Sequence, residues 1–368
     1  METFFHLYEK YSWSEVKASI YAKTSADVEV ALVKENLSLE DFKALVSPAA
    51  LPYLDQLALV SNKKTRRRFG KTIQLYIPLY LSNKCINSCI YCGFSRNNST
   101  SRTTLSVVQA VAEVKAISEK GFKHVLLVTG EHPECGLSYL KEIIKAIKPF
   151  FAQIAIEVAP MGTMDYKALI EVGLNSVYIY QETYNSGSYP VFHPSGKKSD
   201  FRYRLETPDR LGQAGIYRIG LGCLLGLDDW RVDSWFTALH IAYLSRKYWT
   251  TRYSVSLPRL RPAAGAYQPL HPVTEKELLQ LICAYRLVFE DLEISLSTRE
   301  EGRLRDILLP YGITAMSAGS KTHPGGYTHC ADELTQFEVG DTRHPHEVAM
   351  AIQKAGFKAV WKDWDKVF

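Results

Sequence analysis

Cys85, Cys89 and Cys92 are the residues of this chain whose type and spacing most directly suggest chemistry. They stand in Lys84-Cys85-Ile86-Asn87-Ser88-Cys89-Ile90-Tyr91-Cys92-Gly93-Phe94, a C-x3-C-x2-C arrangement. Three thiolates this close can hold three irons of a [4Fe–4S] cubane. No fourth cysteine lies nearby, so one iron is left open to take the amino and carboxylate groups of a small ligand. A zinc site would pair two C-x2-C units or add histidines at defined spacing, and neither accompanies these three. Of the seven cysteines, the other four (Cys135, Cys223, Cys283 and Cys330) are scattered. That distribution suits a reduced compartment with one clustered metal site better than a disulfide framework.

The elements that must position this loop follow from periodicity. With 368 residues, 46% of them hydrophobic, the chain can bury a sizeable core. Residues 1–70 read as a helical N-terminal extension. Ser12 with Glu15 forms a capping-box pattern, Ser38 precedes an amphipathic stretch, and Ser47-Pro48 suits an N-cap and first helical position. Residues 71–320 alternate strands with helices. Strands are predicted near 73–81, 124–129, 153–159, 176–181, 216–225, 253–258, 292–297 and 313–317. Helices are predicted over Val107 to Glu119, Leu137 to Phe151, Met164 to Val172 and Glu275 to Phe289. Gly121, Gly173 and Gly215 stand where helix C-termini belong. Eight such units predict an α/β fold of the (β/α)8 TIM-type barrel class. An open doubly wound sheet is the alternative, but no glycine fingerprint for phosphate follows the first strand. Residues 321–368 are a C-terminal appendage with a helix from Pro345 to Ala355 and a short strand from Lys358 to Trp361. In a barrel the cysteine loop falls past the C-terminal end of the first strand, where such folds keep their active sites.

Charge and hydropathy exclude several classes. The net charge is +5. The run Lys63-Lys64-Thr65-Arg66-Arg67-Arg68 lacks the interleaved aromatics of a nucleic-acid patch and reads as a solvated linker. No apolar run is long enough to span a membrane, and no signal-peptide pattern opens the chain, so a cytoplasmic location is expected.

The cysteine spacing, with Tyr91 before Cys92, resembles the signature of the radical S-adenosylmethionine (SAM) superfamily. That resemblance implies that the open iron chelates S-adenosyl-L-methionine and that its reductive cleavage yields a 5′-deoxyadenosyl radical. Thr129-Gly130-Glu131, ending the second strand, resembles the superfamily's Gly-Gly-Glu motif, which binds the methionine amino group; Thr129 replaces the first glycine. Glu157, ending the third strand, suits the ribose hydroxyls or a rim salt bridge. Glu182, after the fourth strand, is expected to face Arg204, flanked by Arg202 and Arg210, and to clamp the amino-acid end of SAM. Gly222, in the glycine-rich fifth strand, marks a close approach and resembles the adenine-contacting strand of the superfamily. Arg299 with Ser297 is the best fork for a substrate carboxylate, and Glu300 joins them as a candidate.

Longer stretches carry a closer resemblance: Thr129 to His132, Tyr180 to Tyr184, Arg204-Leu-Glu-Thr-Pro-Asp-Arg210, Arg252 to Ser256, Leu296 to Glu300, Lys321 to Tyr327 and Val360 to Asp365. Together they resemble the tyrosine lyases of thiamine thiazole biosynthesis over nearly the whole chain. The resemblance implies cleavage of the Cα–Cβ bond of L-tyrosine to p-cresol and 2-iminoacetate (dehydroglycine). It also implies a thiazole synthase partner and a flavodoxin- or ferredoxin-type reductant. Three alternatives stay open. The first is a hydrogenase-maturation tyrosine lyase, which needs a second cysteine set where this tail has only Cys330. The others are a tryptophan lyase and a non-catalytic zinc- or RNA-binding protein.

Overall fold

The computed structural model describes residues 2–263, 267–328 and 335–363. Cys330, Trp364 and Asp365 lie outside these. Eight parallel strands form the barrel: β1 (Thr72–Ser82), β2 (His124–Thr129), β3 (Gln153–Glu157), β4 (Ser176–Tyr178), β5 (Arg218–Leu221), β6 (Arg252–Ser256), β7 (Glu293–Leu296) and β8 (Ala315–Ser317). Each pairs with the next, and β1 closes the ring by pairing with both β8 and β2. Closure excludes the open sheet and gives the expected (β/α)8 class. A ninth strand, β9 (Lys358–Val360), pairs with Thr72–Gln74 of β1, below the segment that pairs with β2.

The helices form where amphipathic periodicity and caps coincide. Val107–Glu119 starts on a Ser106 capping box, and Thr163–Val172 ends on Gly173, whose φ of 121° suits glycine. Their apolar faces and those of the strands make the main core. The barrel interior is different. Near its N-terminal end Gln74 contacts His124 and Gln153, and Arg218 pairs with Glu293 at 2.9 Å. This polar plug closes the floor and leaves the opposite mouth as the open end.

Several local expectations needed correction. β4 and β5 are shorter than predicted, because single bridges at Glu182–Cys223 and Leu225–Arg259 replace regular pairing. The basic run is no linker: it lies in helix Leu54–Phe69, where Lys64 and Arg67 pair with Glu290 and Arg68 with Asp291. Ser12 stands at the N-cap but makes no capping bond; its hydroxyl meets Ser14 instead. Ser47-Pro48 opens a 3-10 turn, Pro48–Tyr53.

Candidate active site

The cysteine loop leaves β1 and crosses the barrel mouth. Gly130 is required beside it: a Cβ there would sit 2.2 Å from the Lys84 carbonyl oxygen. That contact is locked by bonds from Gly130 N to Ser82 O and from Ile86 N to Glu131 O. Arg102 clamps the far side. Its guanidinium donates to the carbonyls of Asn83, Phe94, Ser95 and Asn98 at 2.6 to 3.1 Å. A second loop lies over the first, with Ile90 N donating to Phe192 O and Lys198 N to Asn87 Oδ1. Gly196, at φ 94°, lets it pass against Asn87.

Below these loops is a cavity with about 1400 Å³ of empty space, counting its open mouth. Cys85, Cys89 and Cys92 line it together with Tyr91, Thr129, Gly130, Glu131, Glu157, Glu182, Arg204, Ser297 and Arg299. Burial pushes the Cys89 thiol up to about 12 and raises Cys92 as well; a bound metal cluster would favour their thiolate forms. No trio of His, Cys, Asp or Glu among the described residues converges on one metal ion. A cubane spreads its ligands over separate irons, so the donor set suits a cluster rather than zinc. The hydroxyls of Thr129 and Ser320 are buried at the cavity wall without partners. Unsatisfied polar atoms at a wall fit a polar ligand that completes them.

The charged groups pair differently from the expectation. Arg204 does not clamp Glu182. It donates to Glu131 at 2.8 Å and to the Tyr180 carbonyl at 2.6 Å, while Asn87 holds the other Glu131 oxygen. Glu182 is paired with Lys198 at 2.6 Å. Lys198, which sequence reasoning missed, lies on the loop that covers the cysteines, far from any strand end. Among non-glycine residues described, Glu182 alone has a positive φ, 72°. Such a backbone costs energy and tends to persist at functional positions. Tyr91 donates to His193 Nε2 at 2.8 Å. Its direction follows because His193 Nδ1 faces the Tyr189 carbonyl, which can only accept. Burial pulls His193 down to about 2, so the ring is neutral.

Two further candidates do not line the cavity. A Cβ on Gly222 would meet the Ser256 carbonyl oxygen at 2.5 Å and the Tyr180 ring at 2.9 Å, so its close approach is internal packing. Glu300 is buried away from the cavity and neutralised by Arg259 and Arg261, so it is a structural anion. Arg299, by contrast, does reach the cavity, and its backbone N donates to Ser297 Oγ at 3.3 Å.

The Glu157 carboxylate makes no hydrogen bond or ion pair with the described residues. Desolvation, then the nearby Glu182 charge, pushes it up to about 7, against the pull of Arg299. An unfolded glutamate titrates near about 4.3. Above pH 7 folding therefore carries the cost of a buried charge; below about pH 4 both states are neutral and the cost vanishes. Glu157→Gln is expected to stabilise the SAM-free protein at pH 8 by on the order of 1–2 kcal/mol, discounted for the open cavity. The gain should fade by pH 4. Equal thermal midpoints for the two proteins at pH 8 would contradict this.

A cluster-binding loop on the first strand of a (β/α)8 barrel, facing a polar mouth, defines a radical SAM enzyme, and residues 79–236 match the Radical SAM superfamily model. Residues 256–358 match the Biotin and Thiamin Synthesis associated domain. The chain is 48% identical to the 2-iminoacetate synthase of Escherichia coli K12, over 99% of this chain and 97% of that one. It is 47% identical, with the same coverage, to the enzyme of that name from Salmonella typhimurium. It belongs to the 2-iminoacetate synthase family. Among solved structures, the [FeFe]-hydrogenase maturase HydG of Carboxydothermus hydrogenoformans superposes with a TM-score of 0.84 at 33% identity, covering 95% of this chain and 80% of that one. Methylornithine synthase (PylB), at 20% identity and TM-score 0.70, shares the fold.

Proposed function

We propose that this chain cleaves L-tyrosine between Cα and Cβ, giving 2-iminoacetate and p-cresol for thiamine thiazole synthesis. The observation that carries the reading is full-length identity of 48% to a 2-iminoacetate synthase, on a chain whose three cysteines face one polar cavity. When bound, the [4Fe–4S] cluster and SAM supply a 5′-deoxyadenosyl radical, and methionine and 5′-deoxyadenosine leave.

The residues divide the remaining work. Cys85, Cys89 and Cys92 ligate the cluster. The backbone of Thr129 to Glu131 and the unpartnered Thr129 hydroxyl take the methionine amino group. Arg204 and Lys198 present positive charge to its carboxylate, each held by an acid behind it. Glu157 accepts from the ribose hydroxyls. Arg299 and Ser297 take the tyrosine carboxylate, with the guanidinium supplying a planar donor fork.

The product is an imine open to hydrolysis, which favours hand-over to a bound thiazole synthase. A flavodoxin- or ferredoxin-type protein supplies the electron. No described helix is long and apolar enough to cross a membrane, in keeping with a cytoplasmic enzyme. The hydrogenase-maturation reading is weaker: identity to HydG is 33%.

The test is direct. Anaerobically reconstituted protein, SAM and a reductant are incubated with each aromatic amino acid. Tyrosine should yield p-cresol. Consumption of tryptophan with no p-cresol from tyrosine would assign the chain to another lyase.

A further inference from the structure

Arg299 is unusual among the arginines at the barrel mouth. Arg204 is held by Glu131, Arg259 and Arg261 by Glu300, and Arg305 by Asp341. Arg299 makes no ion pair with any described carboxylate. Its guanidinium carbon instead lies 3.4 Å from the centre of the Phe337 ring. Glu157 lines the same cavity, also without an ion pair. Opposite charges sharing a partly desolvated cavity attract strongly. Left free, Arg299 would close onto Glu157, and the closed pair would occupy the space that a substrate carboxylate needs.

The chain segment that carries the Phe337 ring is held from both sides. Gln336 N donates to Thr322 O at 3.0 Å, and Thr322 Oγ1 donates to Phe337 O at 3.2 Å. Glu338 N donates to Pro262 O, and Gly340 N to Thr298 O at 2.8 Å, next to Arg299. Gly93 N, following the last cluster cysteine, donates to Gln336 O at 3.1 Å. A Cβ on Gly93 would meet Thr335 O at 2.5 Å. The segment is thus pinned to the cysteine loop and to the loops after β6, β7 and β8.

We propose that Phe337 is a positioning residue, whose ring holds the Arg299 guanidinium at the substrate end of the cavity and keeps it from closing onto Glu157. The inference rests on reading Arg299 as the receptor of the tyrosine carboxylate. A cation over an aromatic face is stabilised, and the face can do this without neutralising the charge that substrate must meet. A carboxylate in its place would compete with substrate. A flexible aliphatic side chain would leave the guanidinium free to move.

The experiment measures KM and kcat for tyrosine at saturating SAM, using cluster-loaded enzyme with iron content checked in each variant. Phe337→Leu should raise KM about threefold to thirtyfold, the equivalent of a lost cation–π contact, with a smaller change in kcat. Phe337→Trp keeps an aromatic face and should stay close to the parent. In the double variant Phe337→Leu/Glu157→Gln the competing carboxylate is gone, so the tyrosine affinity of the cluster-loaded, SAM-free protein, where no ribose engages Glu157, should return from the weakened value of Phe337→Leu toward that of Glu157→Gln alone. The inference is overturned if Phe337→Leu leaves KM unchanged while Arg299→Ala raises it. It is also overturned if Trp and Leu impair KM equally, or if the double variant shows no recovery. An unchanged KM in Arg299→Ala overturns the carboxylate reading itself, and the positioning role with it.

Discussion

Cys89→Ala protein is expected to fold, to emerge from anaerobic reconstitution without the brown colour of the parent, and to cleave neither SAM nor tyrosine. The side chain is small and buried, and the loop is held without its sulfur: Arg102, Gly130 and the Phe192–Lys198 segment fix the backbone by contacts to the main chain. Loss of one thiolate therefore removes a cluster ligand without removing the fold. The matching control is Cys283→Ala. Cys283 is fully buried in helix Glu275–Val288, remote from the cavity. Its truncation should cost about 1 kcal/mol in stability while iron, sulfide and p-cresol formation stay at parent levels. Iron and sulfide assays with a urea titration separate the two. Parent-level iron in Cys89→Ala, or lost iron in Cys283→Ala, would put the cluster elsewhere.

The barrel and the cysteine loop were legible in sequence because both are written locally. β2 reads His-Val-Leu-Leu-Val-Thr and is buried throughout, as a strand covered on both faces must be. The cluster ligands lie within eight residues, so their proximity needs no tertiary information. Charge partners are another matter. Glu182 and Arg204 are close in sequence and of opposite sign, yet each found a different partner. The path of residues 193–198, turned by left-handed Gly196, brings Lys198 to Glu182 and leaves Arg204 to Glu131, just past the end of the second strand. No periodicity encodes that path. Glu300 misled for a related reason. It follows directly on Arg299, but both lie in the turn after β7, where no strand alternation sets direction: Ser297, Thr298 and Arg299 all line the cavity, while Glu300 turns to Arg259 and Arg261. Gly222 signalled a close approach correctly, while the approaching group, Tyr180, sits on the adjoining strand end where a single sequence cannot place it.

These pairings give the mouth a consistent electrostatic plan. Every cationic group expected to meet an anionic end of SAM has an acid behind it, which keeps it charged and aimed. The cation expected to meet substrate has an aromatic face instead. Paired cations are costly to move, which suits a cofactor held in one geometry for each turnover. A cation on a ring can bind and release a carboxylate with less reorganisation, which suits a substrate that must come and go.

The same logic makes Asp341→Ala the most damaging change outside the cavity. Arg305 and Asp341 are 0% and 1% exposed and pair directly, and Arg305 also donates to the Ser317 carbonyl at the end of β8. Arg343 adds a second cation to Asp341 at 2.8 Å, and backbone N of Asp341 donates to Thr298 O. Removing the carboxylate leaves a buried guanidinium with no counter-ion, a situation that costs about 3–5 kcal/mol. Asp341→Ala should therefore lower the urea midpoint sharply. It should also loosen the segment bearing Phe337, so KM for tyrosine rises in molecules that remain folded. Arg303→Ala offers the contrast, since its pair with Glu275 is exposed on both sides; exposed pairs contribute little, and its midpoint should not move. A parent-like midpoint for Asp341→Ala would mean that the pair is not the anchor joining the C-terminal segment to the barrel mouth.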